Sequence, residues 1–181
     1  MPAHRHRGFT LIEFLTTVAM LVIVGGLMVS LARYVRTRSA HLLTVEVLGK
    51  LEQAMARYTD ATGIVPDITP FVPGKRPDRI DPAHPSESLM PIAAKNNRDF
   101  IRALRSREDL SGRLFSNLPA TMYDERTLSD AWGSPIVFMQ RMHPDIGMAP
   151  DDTFFFVSAG PDGQFLTRDD NLYSYEVVNS P

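Results

Sequence analysis

The 181-residue chain contains no cysteine, so no disulfide bond can stabilise its fold. This absence does not identify a compartment, because many proteins of oxidising compartments also lack cysteine. The five histidines, at positions 4, 6, 41, 84 and 143, show no spacing typical of metal ligands. Ser158 lies outside any Gly-x-Ser-x-Gly elbow. The sequence therefore offers no nucleophile and base, and a membrane-tethered enzyme is the least favoured interpretation.

The chain also has no excess of basic charge, since its formal net charge is −2. Removing residues 1–8 takes away Arg5 and Arg7 and no acidic residue, which leaves 17 Lys and Arg against 21 Asp and Glu, a net charge of −4. Such a chain has no general electrostatic attraction to DNA, so we expect no nucleic-acid partner. The length and the ordinary globular composition suit one anchor helix and one modest soluble domain.

One long apolar run stands out, from Phe9 to Ala32, and its only ionised side chain is that of Glu13. Its 24 residues exceed the roughly 20 that cross a bilayer as a helix. A carboxylate is costly in hydrocarbon, so an isolated acid there is a functional candidate. A cation at the same depth would be its natural partner. Cutting the chain after Gly8 would create one, the α-amino group of Phe9.

A short basic leader followed by Gly8-Phe9-Thr10-Leu11-Ile12-Glu13 and this apolar run resembles the class III signal of type IV pilins and type II secretion pseudopilins. In that family a prepilin peptidase cleaves after the glycine and methylates the new N-terminal phenylalanine. The resemblance implies cleavage between Gly8 and Phe9, N-methylation of Phe9, and a role for Glu13 in setting the register of each incoming subunit. The alternative is an ordinary anchor or an uncleaved signal peptide. An ordinary secretory signal, however, is cut after its apolar segment.

Helical periodicity continues beyond the apolar run. Four apolar residues recur at spacings of three and four and predict one buried face: Leu48, Leu51, Met55 and Tyr58. We expect one helix from Phe9 to about Tyr58, ended by the segment 59–63, with its second half carrying the soluble domain. Gly25 and Gly26 interrupt the apolar run, and each lowers helix stability there by about 1 kcal/mol.

Seven prolines between residues 64 and 91 predict an irregular connection. Residues 97–107 read as a short amphipathic helix, with Phe100, Ile101 and Leu104 inward and its arginines outward. Three short apolar runs predict strands: 136–139, 154–157 and 172–178. The expected fold class is α+β, a long N-terminal transmembrane and amphipathic α-helix packed on a small C-terminal antiparallel β-sheet domain, as in pilins.

The predicted organisation has five segments. They are a leader peptide at 1–8, a transmembrane and polymerisation helix at 9–32, the amphipathic second half of the helix at 33–63, an irregular Pro-rich variable region with a short helix at 64–129, and a C-terminal β-sheet region with a calcium loop at 130–181.

Two C-terminal segments carry a second resemblance. The segment 130–136, Asp-Ala-Trp-Gly-Ser-Pro-Ile, is similar to the Asp-x-Trp-Gly-x-Pro turn of the major type II secretion pseudopilin. The segment 158–163, Ser-Ala-Gly-Pro-Asp-Gly, is similar to its Ser-x-Gly-x-Asp-Gly loop. Trp132 is expected to anchor the core.

In that family the Asp-Gly loop binds calcium through backbone carbonyls and carboxylates. The resemblance implies calcium as cofactor here, with the ligands Ala159, Asp162, Asp169 and Asp170. Oxygen ligands of this kind suit calcium. The alternative is a plain Pro-Asp-Gly turn between two strands.

The chain departs from the major pseudopilins at a few positions. Ser30 stands where they usually carry proline, and Phe165 and Leu166 stand where small residues are common. These departures leave open whether the chain resembles the major subunit or a minor one.

The resemblance implies a subunit of a periplasmic pseudopilus that drives protein secretion. Its implied partners are other copies of itself, other pseudopilins, the prepilin peptidase, the inner-membrane assembly platform and, before assembly, membrane lipid. The implied location is the bacterial inner membrane, single-pass, with the N-terminus cytoplasmic and the C-terminal domain periplasmic. A minor type IV pilin, in a pilus for adhesion, motility or DNA uptake, is the alternative.

The distribution of basic residues disagrees with this orientation. Arg5 and Arg7 precede the apolar run, while three arginines follow it, at positions 33, 36 and 38. Counting Lys and Arg alone favours the C-terminal side inside the cell. The resemblance implies the reverse, because prepilin peptidase cuts at the cytoplasmic face, and we follow the resemblance.

Overall fold

A computed structural model of the chain describes residues 10–71, 85–107, 114–150 and 153–178. The named elements, in chain order, are α1 (Leu11–Thr62), α2 (Pro85–Arg105), β1 (Val137–Met139), β2 (Phe155–Ser158), β3 (Leu172–Tyr173) and α3 (Ser174–Val178). The predicted fold class is confirmed. A long N-terminal helix, apolar in its first half, carries a small antiparallel sheet on the buried face of its second half.

The chain divides into two compact units after Ser39. In the first unit, every described side chain is exposed, and the helix is long and apolar enough to cross a membrane. Helical structure runs without a break through Gly25 and Gly26, which confirms the prediction of one helix. A cost of about 1 kcal/mol for each glycine is too small to divide a 52-residue helix.

In the second unit, α1 presents the predicted face to the core. Leu48, Leu51 and Met55 have no exposed surface, and Tyr58 is almost fully buried. The helix ends at Thr62, four residues beyond the predicted end. Gly63 follows it with φ +70° and donates its N–H to the carbonyl of Thr59 at 2.7 Å, which is the usual termination of a helix by glycine.

The second helix is longer than predicted. It begins at Pro85, so the prediction of irregular chain as far as residue 91 was wrong for 85–91, and the predicted helix over 97–107 was too short. Proline is well tolerated at the first helical position, where its missing N–H would have no helical partner. Pro91, inside the helix, removes a single backbone hydrogen bond. The predicted inward residues are confirmed as buried: Phe100, Ile101 and Leu104.

Two adjacent buried asparagines attach α2 to its surroundings. The side chain of Asn96 accepts the N–H of Phe138 at 2.9 Å and donates to the carbonyls of Phe138, at 3.0 Å, and Thr69, at 2.8 Å. It therefore satisfies both backbone groups of a residue in β1, which forms one edge of the sheet. Asn97 does the same for Leu128 and also donates to the carbonyl of Ile136.

The sheet has the order β1-β2-β3, with both pairs antiparallel. Each face is buried in its own apolar cluster. The first cluster joins α1 and α2 to Phe138 and Phe156. The second contains Val137, Met139, Phe155, Val157 and Phe165. Burial of alternate side chains on opposite faces explains why these strands read as continuous apolar runs.

The first two predicted strands are confirmed to within one residue at each end. The third was wrong beyond Tyr173, because the chain becomes helical at Ser174. The hydroxyl of Ser174 accepts the N–H of Phe156 at 2.9 Å and donates to the carboxylate of Glu52 on α1. The side chain of Ser174 thus takes the hydrogen-bonding place that a further residue of β3 would have occupied in the sheet.

Candidate functional site

The first candidate site is the start of α1, where Thr10 and Glu13 form a reciprocal capping box. The N–H of Glu13 donates to Oγ1 of Thr10 at 3.3 Å. In return, Oε2 of Glu13 accepts both the N–H and the hydroxyl of Thr10, each at 2.9 Å. This arrangement satisfies backbone donors that a helix start leaves without a partner.

Further hydroxyl groups surround Glu13. Thr16 and Thr17 both donate to the carbonyl oxygen of Glu13, at 3.0 and 2.7 Å. Hydroxyls that bond within their own helix carry no unsatisfied polar group into an apolar environment. The carboxylate of Glu13 is therefore the one strongly polar group that the described part of this helix start presents outward.

The two oxygens of the Glu13 carboxylate have different surroundings. Oε2 is held by Thr10, whereas Oε1 accepts no hydrogen bond within the part of the chain that the structure describes. The capping box thus fixes the orientation of the carboxylate through one oxygen and leaves the other available to an external donor. The implied cleavage site, Gly8 and Phe9, lies outside the described residues.

The second candidate site belongs to the second unit and is centred on Asp130. This carboxylate is 2% exposed. Its Oδ1 accepts the N–H groups of Trp132, at 3.0 Å, and Ser134, at 2.9 Å, and so fixes the turn that the first C-terminal motif forms. Burial raises the pKa of Asp130, and these hydrogen bonds, with that of Ser158, act in the opposite direction.

Asp130 also connects the turn to the second motif. The hydroxyl of Ser158 donates to Oδ2 of Asp130 at 2.7 Å and accepts the N–H of Gly160 at 3.1 Å. The neighbouring Ala131 donates its N–H to the hydroxyl of Thr44, a buried residue of α1, at 3.2 Å. The two motifs and the long helix are therefore joined through one buried carboxylate and its neighbour.

Trp132 is only half buried and does not belong to either apolar cluster, so its predicted role as a core anchor was wrong. The residue that anchors the turn is Asp130, through hydrogen bonds to backbone N–H groups. A turn held in this way does not need its aromatic side chain in the core.

The implied calcium ligands lie in the loop between β2 and β3. Both carboxylate oxygens of Asp162 are already engaged, one by the N–H of Gln164 at 2.8 Å and the other by the hydroxyl of Thr167 at 2.6 Å. Asp169 and Asp170 are exposed, and Ala159 is fully buried. Within the described residues, no three acidic or imidazole groups converge so that they could hold a metal ion.

Convergence of side chains does not include backbone carbonyls, which the resemblance also assigns to the calcium shell. Each oxygen of Asp162 accepts one of these hydrogen bonds and keeps a second lone pair. Calcium binding stays a prediction from the resemblance, and no step of the proposed function depends on it.

The loop is closed by contacts of its own. Gly160 has φ +65°, and a Cβ there would lie 2.0 Å from the carbonyl oxygen of Asp170, so only glycine permits this approach. Phe165, fully buried, packs edge-on against Phe71 with ring centroids 4.8 Å apart. Asn171 donates to the carbonyl of Phe165 at 2.9 Å. Phe165, where the family usually has a small residue, thus inserts the loop into the core.

Glu13 and both C-terminal motifs were identified from the sequence, but three relationships in the structure were not predicted. The capping box was predictable from the sequence, since its signature is Thr followed by Glu three residues later, before an apolar run. The contact between the two motifs was not readable, because 28 residues separate Ser158 from Asp130. Asn96 and Asn97 gave no local signal either.

Comparison with protein-family models, with curated protein sequences and with solved structures finds no match to this chain.

Proposed function

We propose that this chain is a pseudopilin of a type II secretion system, most similar to the major subunit. Prepilin peptidase cleaves it after Gly8 and methylates Phe9. The product is held in the inner membrane and then polymerises into a periplasmic pseudopilus that drives protein secretion. The chain acts as an assembly subunit, and we assign it no catalytic residue.

One observation carries this proposal. The first half of α1 buries none of its apolar side chains, and the single ionised side chain between Thr10 and Ala32 is that of Glu13. The same helix continues into a folded unit that buries its second half. A helix of this kind can exchange contact with lipid for contact with copies of itself, which is what a membrane-held polymer subunit requires.

Within this proposal, Glu13 provides register. In the filament the apolar halves pack together, and apolar contacts alone do not select one axial position, since dispersion and burial are non-directional. A carboxylate that pairs with the α-amino group of a neighbour's Phe9 does select one. Oε1 of Glu13 accepts no hydrogen bond from the described residues, and this supports the role, because the capping box orients the carboxylate without using that oxygen.

The deciding experiment is mass spectrometry of the N-terminal peptide from the protein purified from membranes of its own host. The expected N-terminus is N-methylated Phe9, and a Gly8→Ala variant serves as the uncleaved control. A functional protein that still begins with its first eight residues contradicts the proposal.

A minor type IV pilin is the second candidate. Ser30, where the major pseudopilins usually carry proline, and the 21-residue α2 within the variable region 64–129 favour a minor subunit over the major one. Both candidates predict the same processed N-terminus. Genes for a secretin and assembly ATPase of the secretion type beside this gene favour the pseudopilin, and genes of the pilus type favour the minor pilin.

A further inference from the structure

Three arginines follow the apolar half of α1 directly. Residues 11–32 contain no lysine or arginine, and then Arg33, Arg36 and Arg38 occur within six positions of the same helix. All three side chains are exposed. Tyr34, which lies among them, is 70% exposed. The helix surface thus changes abruptly from apolar to strongly basic.

The positive charge of this segment has no acidic partner. The sequence contains no Asp or Glu from residue 14 to residue 45. Ion pairs along a helix join residues three or four positions apart, so none can form within this stretch of α1. Among the described residues, none of the three arginines forms an ion pair with a carboxylate. An anionic partner for them has to come from outside this part of the chain.

The length of the apolar half places the arginines at the surface of a bilayer. Residues 11–32 span about 33 Å at 1.5 Å per residue, slightly more than the hydrocarbon core of about 30 Å. When this half spans a membrane, the next one and a half turns therefore lie among the lipid headgroups. Tyr34 fits the same depth, since tyrosine is enriched where a membrane meets water.

The arginines also point in different directions around the helix. At 3.6 residues per turn, Arg36 is displaced from Arg33 by about 60° in one sense, and Arg38 by about 140° in the other. Together they cover about 200° of the circumference. A protein that docks on one face of the helix leaves part of this arc without contact. Headgroups surround a spanning helix on every side, so lipid is the partner that fits the arrangement.

We propose that Arg33, Arg36 and Arg38 bind the phosphate groups of anionic phospholipids while the chain is held in the membrane. A guanidinium group stays charged and donates two parallel hydrogen bonds to phosphate. Basic residues close to a membrane surface are attracted to headgroups of net negative charge. Because headgroups occur in both leaflets, the contact forms in either orientation of the helix.

This inference goes beyond the proposed function. It requires that α1 spans a membrane, and it requires neither cleavage after Gly8 nor polymerisation. Lipid binding and the mass of the N-terminal peptide are separate measurements, so failure of one leaves the other standing.

The test uses the full chain in a mild detergent and counts bound lipids by native mass spectrometry. Phosphatidylglycerol, which is anionic, and phosphatidylcholine, which is zwitterionic, are added in equal amounts. Arg5 and Arg7 are replaced by glutamine in every protein compared, because the leader also carries arginines.

The test variant replaces all three arginines by glutamine, which removes the charge and keeps a high helix propensity: Arg33→Gln, Arg36→Gln and Arg38→Gln. The matched control removes the same charge from three exposed arginines elsewhere in the chain: Arg57→Gln, Arg98→Gln and Arg141→Gln.

The chain with all three arginines should bind phosphatidylglycerol in preference to phosphatidylcholine. Each arginine near a membrane surface strengthens the attraction about fivefold, so the test variant should bind phosphatidylglycerol on the order of a hundredfold more weakly. The control should bind it as tightly as the chain without these changes. Inorganic phosphate at the concentration of the lipid should not displace it.

The proposal is overturned if the test variant keeps its phosphatidylglycerol, if the control loses as much of it, or if inorganic phosphate displaces the lipid, since that indicates a site for a free anion. It is also overturned if the chain with all three arginines binds no phosphatidylglycerol and self-associates in a way that the test variant does not. That result would assign the arginines to a contact with a second copy.

Discussion

The hydroxyl of Ser158 donates a 2.7 Å hydrogen bond to the buried carboxylate of Asp130, and this contact joins two loops that are far apart in the sequence. Asp130 fixes the turn that precedes β1, and Ser158 ends β2. The same hydroxyl accepts the N–H of Gly160, where the loop after β2 begins. The geometry of both loops thus depends on one side-chain pair.

Ser158→Ala is expected to destabilise the second unit by about 1–3 kcal/mol, because it leaves a buried oxygen of Asp130 and the N–H of Gly160 without their partner. Urea unfolding of the full chain in detergent measures the change. Thr153→Ala, at an exposed hydroxyl, is the control and should change stability little. Equal stability of the two variants would show that water replaces the serine hydroxyl at no cost.

The buried asparagines lead to a second prediction. Asn96→Ala removes the partners of both backbone groups of Phe138 and of the carbonyl of Thr69. We expect a loss on the order of 3 kcal/mol, since each buried backbone group left unpaired costs about 1–3 kcal/mol. Amide hydrogen exchange provides a specific readout, because the N–H of Phe138 should lose protection before those of β2. A uniform loss of amide protection across the sheet would contradict the inference that Asn96 pairs with the backbone groups of Phe138 at the edge of β1.

These contacts also show what a sequence can and cannot predict. The buried face of α1 and the first two strands were predictable, because Leu48, Leu51 and Met55 repeat with the helical period and Phe138 and Phe156 lie in uniformly apolar runs. Asn96 and Asn97 fill a gap between α2 and the sheet edge that exists only after the chain has folded. Polar side chains that bond to backbone 27 to 42 residues away leave no periodic signal.

Glu52 on α1 should make stability depend on pH. Burial raises its pKa, and the hydrogen bond from Ser174 opposes this shift. The folded chain therefore binds the proton more tightly than the unfolded chain, and this group lowers stability as the pH rises from about 4.5 through the raised folded pKa. Glu52→Gln should remove that part of the pH dependence in melting curves recorded from pH 4 to 8. Glu46→Gln, on the exposed side of the same helix, is the matched control and should keep the slope of the unmodified chain.

The capping box permits a separation of two roles of Glu13. Glu13→Ala should still insert into the membrane but form few filaments, because the register contact is lost. Thr10→Ala removes the hydroxyl that helps to orient the carboxylate but keeps the charge, so it should weaken the start of the helix by about 1 kcal/mol and reduce assembly much less than Glu13→Ala does. Quantitative recovery of sheared filaments, compared with the total membrane-inserted protein, measures both. If Thr10→Ala is as defective as Glu13→Ala, capping accounts for both effects and the register role is wrong.

The last prediction concerns what closes the loop after β2, a bound ion or an aromatic side chain. Phe165→Ala should cost about 3–5 kcal/mol, because it empties the site beside Phe71 that holds the loop in the core. Leu166→Ala, at a half-buried neighbour, should cost less. If calcium also binds through Asp162, Asp169 and Asp170, the melting temperature should be higher with calcium than with chelator. At a hundredfold excess of calcium over the dissociation constant, the gain in stability is about 2.7 kcal/mol. Superimposable melts with calcium and with chelator, together with a large effect of Phe165→Ala, would assign closure of the loop to the phenylalanine alone. The hydrogen bonds that Asp162 accepts from Gln164 and Thr167 make this comparison informative, because an ion bound to Asp162 would share its carboxylate with these two donors.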